Sequence, residues 1–135
     1  MIYLASKSPR RTELLQQVGV KHKIIDIVVN EKINSSNSPQ ENVRALSVLK
    51  CQEGVRKVIV EKMRSFPVLA ADTIVVLGDK IFGKPESEPD AIAMLLKLSG
   101  KTHKVMTAVT IGIINQVAEK SAMSGWFAFF LDHLQ

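Results

Sequence analysis

The sequence predicts an α/β fold in which helices pack on a sheet. Strand-like and helix-like segments alternate from residue 2 to residue 114, which is typical of a layered α/β architecture. Serine, proline and glycine stand at the junctions, where they commonly cap helices and form turns. The 135 residues suffice for one domain with a hydrophobic core but hardly for two.

Two strands and a helix are predicted in the N-terminal quarter. Residues 2–5 are apolar and predict a buried strand. Residues 9–18 predict a helix that begins after Ser8 and stops at Gly19. The β-branched run at 23–29 predicts a second strand.

A long helix is predicted after the polar loop at 30–39. The run Ser38-Pro39-Gln40-Glu41 is a capping box with proline at the first helical position. The helix that it opens is expected to reach about residue 62, with Gly54 weakening its middle.

The next segments predict a hairpin, a helix and a strand. Residues 68–77 form a long apolar strand, and residues 80–82 pair back after the turn at Gly78. Ser87 caps a helix that ends at residue 98, and a further strand spans 103–114.

Composition and charge narrow the function classes. Hydrophobic residues make up 46% and charged residues 23% of the chain, as in globular proteins. The net charge of +5 fits an anionic small molecule, a nucleic acid or a surplus of solvated lysines. Because the lysines are scattered and no aromatic residues lie among them, nucleic-acid binding is the weaker hypothesis.

The cysteine content and the N-terminal residues predict the cellular compartment of the protein. The single Cys51 cannot form an internal disulfide, so we expect a cytoplasmic protein and assign Cys51 to packing. The N-terminus has no signal-peptide pattern, and no apolar run approaches the ~20 residues of a membrane span. Neither a membrane partner nor a nucleic-acid partner is expected.

The N-terminal segment has the layout of a phosphate-binding turn. A strand ends, the hydroxyls of Ser6 and Ser8 follow, and a helix begins with its free N–H groups facing the gap. Arg10 and Arg11 supply forked donors that match phosphate oxygens. The alternative is an ordinary capped helix with a solvated basic turn, although arginines are unfavourable at a helix N-terminus without an anion.

Two acids are candidates for catalysis or metal binding. Asp72 interrupts an apolar strand, where an ionised carboxylate requires a partner, a metal or a catalytic role. The alternative is an acid at the strand end that pairs with a structural lysine or arginine. Glu31 begins the polar loop and, together with Asp72, could hold a hard divalent cation such as Mg²⁺.

Two lysines complete a set suited to phosphoanhydride hydrolysis. Lys50 lies on the long helix and Lys84 in a Gly-Lys-Pro loop, and each alone is more often solvent-facing than a phosphate ligand. Basic groups that hold phosphates, acids that hold a metal and a base that activates water together describe this chemistry. His103, at a strand start, is assigned a structural role.

The motifs together resemble the Maf family of nucleoside triphosphate pyrophosphatases, also called septum formation inhibitors. They occur in the family's order over residues 1–114, and the combination is specific although each motif alone is weak. The segments around Asp72 and around His103 to Val109 look most like the dTTP/UTP-cleaving branch. The motifs that carry the resemblance are Leu4-Ala5-Ser6-Lys7-Ser8-Pro9-Arg10-Arg11, Leu46 to Lys50, Ala71-Asp72-Thr73-Ile74-Val75, Gly83-Lys84-Pro85, and Leu98-Ser99-Gly100 with His103 and Thr107.

The resemblance implies a fold, a reaction and a set of site residues. The fold is a central mixed sheet with a nucleotide cleft between two lobes. The reaction is hydrolysis between the α and β phosphates with Mg²⁺ or Mn²⁺. Asp72 matches the proton acceptor, and Glu31 matches a metal-binding or catalytic acid; both are predicted metal ligands. The positions matching the phosphate site are Ser6, Ser8, Arg10, Arg11, Lys50 and Lys84, and Arg10 and Thr73 match positions linked to substrate choice.

The sequence departs from the family pattern at two places. Asn30 stands where the family often has a second acid, which would weaken metal binding. The family chain also continues with strands and a Lys-Ala-Gly segment, whereas the aromatic-rich residues 116–135 do not resemble it. We therefore predict an incomplete Maf-like domain over 1–115, with the second lobe largely missing, and an atypical tail over 116–135.

Three functional hypotheses remain at this point. The first is an active pyrophosphatase, and the second is a catalytically impaired nucleotide-binding or regulatory remnant linked to septum formation. The third is the weaker nucleic-acid-binding module. Without the missing half, the sheet edges that it would pair with stay open. Open edges can pair with another chain, so we predict self-association as a homodimer.

Overall fold

One mixed sheet organises the protein. The computed structural model describes the backbone of residues 1–117 and 120–134 and the side chains of residues 1–115. Within these residues the sheet has the strand order β2-β1-β3-β5-β6, with β4 paired to β3. β1 lies parallel to β2 and β3, whereas β4, β5 and β6 pair antiparallel. The strands are β1 (Ile2–Leu4), β2 (His22–Ile24), β3 (Val68–Leu77), β4 (Lys80–Phe82), β5 (Lys104–Val117) and β6 (Lys120–Leu134).

Three helices flank this sheet, and two of them are capped as the sequence predicts. The helices are α1 (Pro9–Gln17), α2 (Pro39–Val60) and α3 (Glu88–Leu98). Ser38 Oγ accepts from Glu41 N at 3.1 Å at the start of α2, and Ser87 Oγ accepts from Asp90 N at 3.2 Å at the start of α3. Ser8 holds the cap position of α1, but its side chain makes no capping hydrogen bond. The α/β prediction with a mixed sheet is confirmed.

The hydrophobic core lies between α2 and one face of the sheet. Two buried clusters join the inner side of α2 to β3 and β5, with Cys51, Val55 and Val58 in one and Val43 in the other. A Cβ on Gly54 would lie 2.7 Å from Val68 Cγ1, so glycine permits the close approach of α2 to β3.

The opposite face of the sheet is packed much less closely. α1 has no buried residue, and Leu98 is the one buried residue of α3. The apolar side chains of Leu14 and Leu96 remain exposed on these helices. Space is thus left between these two helices and the sheet, and the candidate site includes that space.

The predicted strand over 23–29 is wrong beyond its first residues. β2 is paired with β1 only as far as Leu4 and Ile24, after which Ile25 N donates to Leu4 O at 3.0 Å. β1 then ends and the chain turns toward α1, so the residues after Ile25 find no neighbouring strand to pair with. Ile25 and Ile27 pack on the core instead.

The remaining boundaries lie close to their predicted positions. The strand predicted over 68–77 and the hairpin arm over 80–82 match β3 and β4, and the strand predicted over 103–114 continues to Val117. In the predicted tail, β6 pairs with β5 along its length. The division at residue 115 stays a prediction, and residues 118, 119 and 135 lie outside the described residues. No helix in the described part is both long and apolar enough to span a membrane.

Candidate active site

Successive side chains of β3 lie on opposite faces of the sheet, so its two central polar residues, Asp72 and Thr73, lie on different faces. Ala70 and Ile74 belong to the core clusters under α2, so Asp72, which shares their parity, faces α2. Thr73 faces the other side, where it lines the cleft beside α1 and α3. A single strand therefore supplies one acid and one hydroxyl to two adjoining spaces.

Lys50 joins the two predicted acids. Its Nζ lies 2.6 Å from Glu31 Oε1 and 2.7 Å from Asp72 Oδ1, and the side chains of Lys50 and Asp72 are each only 10% exposed. Lys50 belongs to the buried side of α2, which directs it at β3. The solvent-facing alternative for Lys50 is wrong, and Asp72 has the charged partner that its burial requires.

The charges of this cluster shift the pKa values of Glu31 and Lys50. Hydrogen bonding to Lys50 lowers the pKa of Glu31, and the positive charges of Lys84 and Arg11 act in the same direction. Burial opposes the charge on Lys50, but the hydrogen bonds to Asp72 and Glu31 outweigh it and raise the pKa of Lys50. The lowered pKa of Glu31 and the raised pKa of Lys50 both favour the charged forms of this pair at neutral pH.

Arg11 is held in place at the edge of this cluster. Ser6 Oγ accepts from Arg11 Nη1 at 3.0 Å and from Ser8 N at 3.2 Å. Thr73 Oγ1 accepts from Arg11 Nη2 at 3.4 Å and also bonds Thr107 Oγ1 at 3.0 Å. Burial lowers the pKa of Arg11, against the attraction of Asp72 and Glu31. The guanidinium remains charged, since an arginine pKa stays far above neutrality.

Two neighbouring cavities share the basic groups. The larger, of about 660 Å³, has largely aliphatic walls from α1, α3 and the sheet, including Leu14, Leu15 and Met94. The smaller, of about 260 Å³, is lined by Glu31 and Lys50. Arg11 and Lys84 line both cavities, so cationic side chains stand where an apolar space meets a charged one.

The predicted site residues divide between these spaces. Those lining the larger cavity are Ser8, Arg10, Arg11, Thr73 and Lys84. Those lining the smaller cavity are Ser6, Arg11, Glu31, Lys50 and Lys84. Asp72 bonds Lys50, which lines the smaller cavity. Arg10 is more peripheral than Arg11, because it forms an exposed ion pair with Glu13 at 3.6 Å.

Comparison with known proteins identifies the family. The profile described as Maf-like protein matches residues 1–127. The chain belongs to the Maf family. A dTTP/UTP pyrophosphatase from Saccharophagus degradans is 46% identical over 110 residues, which cover 82% of this chain and 52% of that protein. A dTTP/UTP pyrophosphatase from Aliivibrio fischeri is 42% identical over 127 residues, which cover 93% of this chain and 66% of that protein.

This Maf-family chain thus spans about half to two thirds of the length of these relatives. Among solved structures, the Ham1 protein of Staphylococcus aureus superposes with a TM-score of 0.50 at 13% identity. That superposition covers 97% of this chain and 69% of Ham1. At this identity the likeness concerns the fold, which agrees with the mixed sheet described above.

Glu31 and Asp72 are the carboxylates of this Maf-family site that could hold a divalent cation. Mg²⁺ is usually bound by one or two carboxylates together with water and substrate phosphates. The oxygens of Glu31 and Asp72 already share one cationic group, the ammonium of Lys50. No group of three or more His, Cys, Asp or Glu side chains occurs among the described residues, so further ligands would come from water and substrate.

Sequence reasoning missed several residues on the elements that form the site. Asn42 and the pair Ser47–Thr110 are buried polar groups; Ser47 Oγ and Thr110 Oγ1 lie 2.6 Å apart between α2 and β5. The apolar wall formed by Leu14 and Met94 was also missed. A signal for Ser47 was available in the sequence. Val43, Ser47, Lys50 and Gly54 are spaced three or four residues apart, and this spacing places them on one face of a helix.

Proposed function

We propose that this chain is a nucleoside triphosphate pyrophosphatase that converts dTTP and UTP to the monophosphate and pyrophosphate. The supporting observation is the Lys50 ammonium that bridges Glu31 and Asp72 beside Arg11. It combines a buried carboxylate, a second acid and fixed cations in one place, which phosphoanhydride hydrolysis requires. The names of the relatives support the choice of pyrimidine nucleotides.

The two cavities suggest how the substrate lies. The aliphatic cavity suits the base and sugar, and its volume is within the usual range for small-molecule sites. Arg11 and Lys84 at the junction would hold the phosphates, which would extend toward Lys50. Arg10 and Thr73 would contact the nucleoside side of the substrate, and Ser8 would contact the phosphates.

Asp72 is assigned to accept the proton of the attacking water. The water oxygen bonds to the α phosphorus, the bond from that phosphorus to the oxygen bridging the α and β phosphates breaks, and pyrophosphate leaves with the bridging oxygen. Lys50 holds Oδ1 of Asp72, so Oδ2 is the oxygen that we assign to take the proton. Mg²⁺ or Mn²⁺, held by Glu31 and Asp72, would supply positive charge against the phosphate oxygens.

Hydrolysis of dTTP and UTP with Mg²⁺ tests this proposal. We expect pyrophosphate release by the unaltered chain and a loss of at least ~100-fold in Asp72→Asn, since that variant lacks the base. Asp26→Asn is the matched control, because Asp26 is exposed and pairs with Lys7. Equal rates in Asp72→Asn and the unaltered chain would contradict the assigned base.

The same samples distinguish the impaired remnant from the enzyme. Calorimetric titration with a non-hydrolysable dTTP analogue would show binding in either case, whereas only the enzyme releases pyrophosphate. A cytoplasmic location, a homodimer and a link to septum formation remain predictions, and fractionation and light scattering test the first two.

A further inference from the structure

We propose that Asn42 is a positioning residue that fixes the Glu31 segment in reach of Lys50. The inference rests on the proposed function, because it concerns a carboxylate that the proposed reaction uses. Asn42 itself lines neither cavity of the candidate site. It would act on the site only through the loop that carries Glu31.

Asn42 binds that loop through its whole amide group. Asn34 N donates to Asn42 Oδ1 at 2.8 Å, and Asn42 Nδ2 donates to Asn34 O at 2.9 Å. Nδ2 also donates to Ser38 O at 3.1 Å and to Asn37 O at 3.4 Å. The residue is 3% exposed, so these bonds replace nearly all contact with water.

Apart from the ion pairs of Asp26 with Lys7 and of Glu31 with Lys50, the segment that carries Glu31 has few other attachments. Before it, Ile25 N donates to Leu4 O; after it, Asn34 is held by Asn42. Between these points, in the described structure, the only backbone hydrogen bond is internal and runs from Lys32 N to Asn30 O. Ile27 packs on the core, but it lies four residues before Glu31.

The position of Glu31 therefore depends on Asn42. Only two residues separate Glu31 from Asn34, so the amide pair at Asn34 limits where the Glu31 backbone can lie. The Glu31 side chain is 47% exposed, and burial does little to hold it. Asn42 and Lys50 are two turns apart on the buried side of α2, so one helix fixes both the loop and the ammonium that Glu31 contacts.

The test measures Mn²⁺ binding by electron paramagnetic resonance in the whole chain, alongside kcat and KM for dTTP. We expect Asn42→Ala to weaken Mn²⁺ binding by about tenfold, which is typical for the loss of a group that orients a ligand. It should lower kcat more than it changes KM. Ser38→Ala is the matched control, because it removes the cap of the same helix but keeps the Asn42 bonds.

A double-variant cycle separates positioning from general stability. In a Glu31→Ala background, Asn42→Ala should weaken Mn²⁺ binding no further. Asn42→Ser provides a second variant if Asn42→Ala does not fold. Its hydroxyl adds no buried charge and can donate to Ser38 O one turn back, but it is too short to keep the paired bonds with Asn34. It should weaken binding as Asn42→Ala does.

The outcomes separate this inference from the proposed function. Wild-type Mn²⁺ affinity in both Asn42 variants, or an unchanged effect of Asn42→Ala without Glu31, would overturn the inference while the function stands. A chain that neither binds Mn²⁺ nor hydrolyses dTTP would remove the proposed function and this inference with it.

Discussion

Lys50 stabilises the protein through its ion pairs and, in the proposed function, also takes part in the chemistry. Its ammonium lies within 2.7 Å of two carboxylates, on the buried side of α2. A buried charge without a partner costs several kcal/mol, so Lys50 and Asp72, as a buried pair, depend on each other. The same arrangement places a cation and two acids beside Arg11, where a polyphosphate would need them.

Glu31 makes the stability of the protein depend on pH in a specific direction. Its pKa is lowered on folding from the ordinary 4.5, chiefly by the hydrogen bond to Lys50. Its contribution is therefore present above about pH 4.5 and is lost as the pH falls through the lowered folded pKa. Because the side chain is about half exposed, we expect less than about 1 kcal/mol.

Urea unfolding of the protein and of Glu31→Gln between pH 7 and pH 3 measures this contribution. The difference in unfolding free energy should shrink toward the acid end of the range. In a Lys50→Met background it should depend much less on pH, because the main cause of the shift is absent. A difference that grows as the pH falls would have the wrong sign.

At the scale of the element, α2 shows what the sequence could and could not predict. Its start followed from the capping box, and its length from the absence of a strong stop before residue 62. Lys50 was judged by its residue type, which favours solvent, although its spacing from Val43 and Gly54 places it on the buried side. Its partner Asp72 is 22 residues away, and such pairings depend on tertiary packing.

The sequence predicted the ends of a strand correctly where a partner strand pairs with it over most of its length. β3 pairs with β5 over most of its length and agrees with its predicted limits. β2 falls short of its prediction, because a β-branched run forms a strand only as far as its partner β1 extends. The division of the site between two faces of β3 follows from strand alternation, but which face meets α2 is decided by the fold.

Gly54→Ala should destabilise the protein although alanine is the better helix former. Alanine would gain roughly 1 kcal/mol in helix propensity. Its Cβ would meet Val68 Cγ1 at 2.7 Å and Ala5 Cβ at 3.1 Å, and such overpacking typically costs ~1–3 kcal/mol. We therefore expect a lower free energy of unfolding in urea.

Val68→Ala tests whether the contact with Val68 causes the loss of stability in Gly54→Ala. It removes the Cγ1 atom nearest to the new Cβ, so the double variant should lose less stability than the two single losses added together. A Gly54→Ala protein that is more stable than the unaltered chain would show that α2 can move away from β3 at no cost.

For the whole molecule, the two faces of the sheet differ in how they are packed. The core fills the space under α2, whereas α1 and α3 bury almost nothing and border the 660 Å³ cleft. Local stability follows buried apolar contact, so opening of α1 and α3 should cost less than unfolding of the core. The side of the sheet that borders the cleft is thus also the less stable side.

Hydrogen exchange measured by mass spectrometry tests this difference. We expect amides of α3 to be at least about tenfold less protected than those in the middle of α2, since only Leu98 anchors α3. A dTTP analogue with Mg²⁺ should slow exchange in α1 and α3, which line the cleft, and leave the middle of α2 little changed, because ligand binding stabilises the closed form of what it contacts. Equal protection of α2 and α3 without ligand would contradict the unequal packing. Slowing confined to α2 would place the nucleotide on the other face of the sheet.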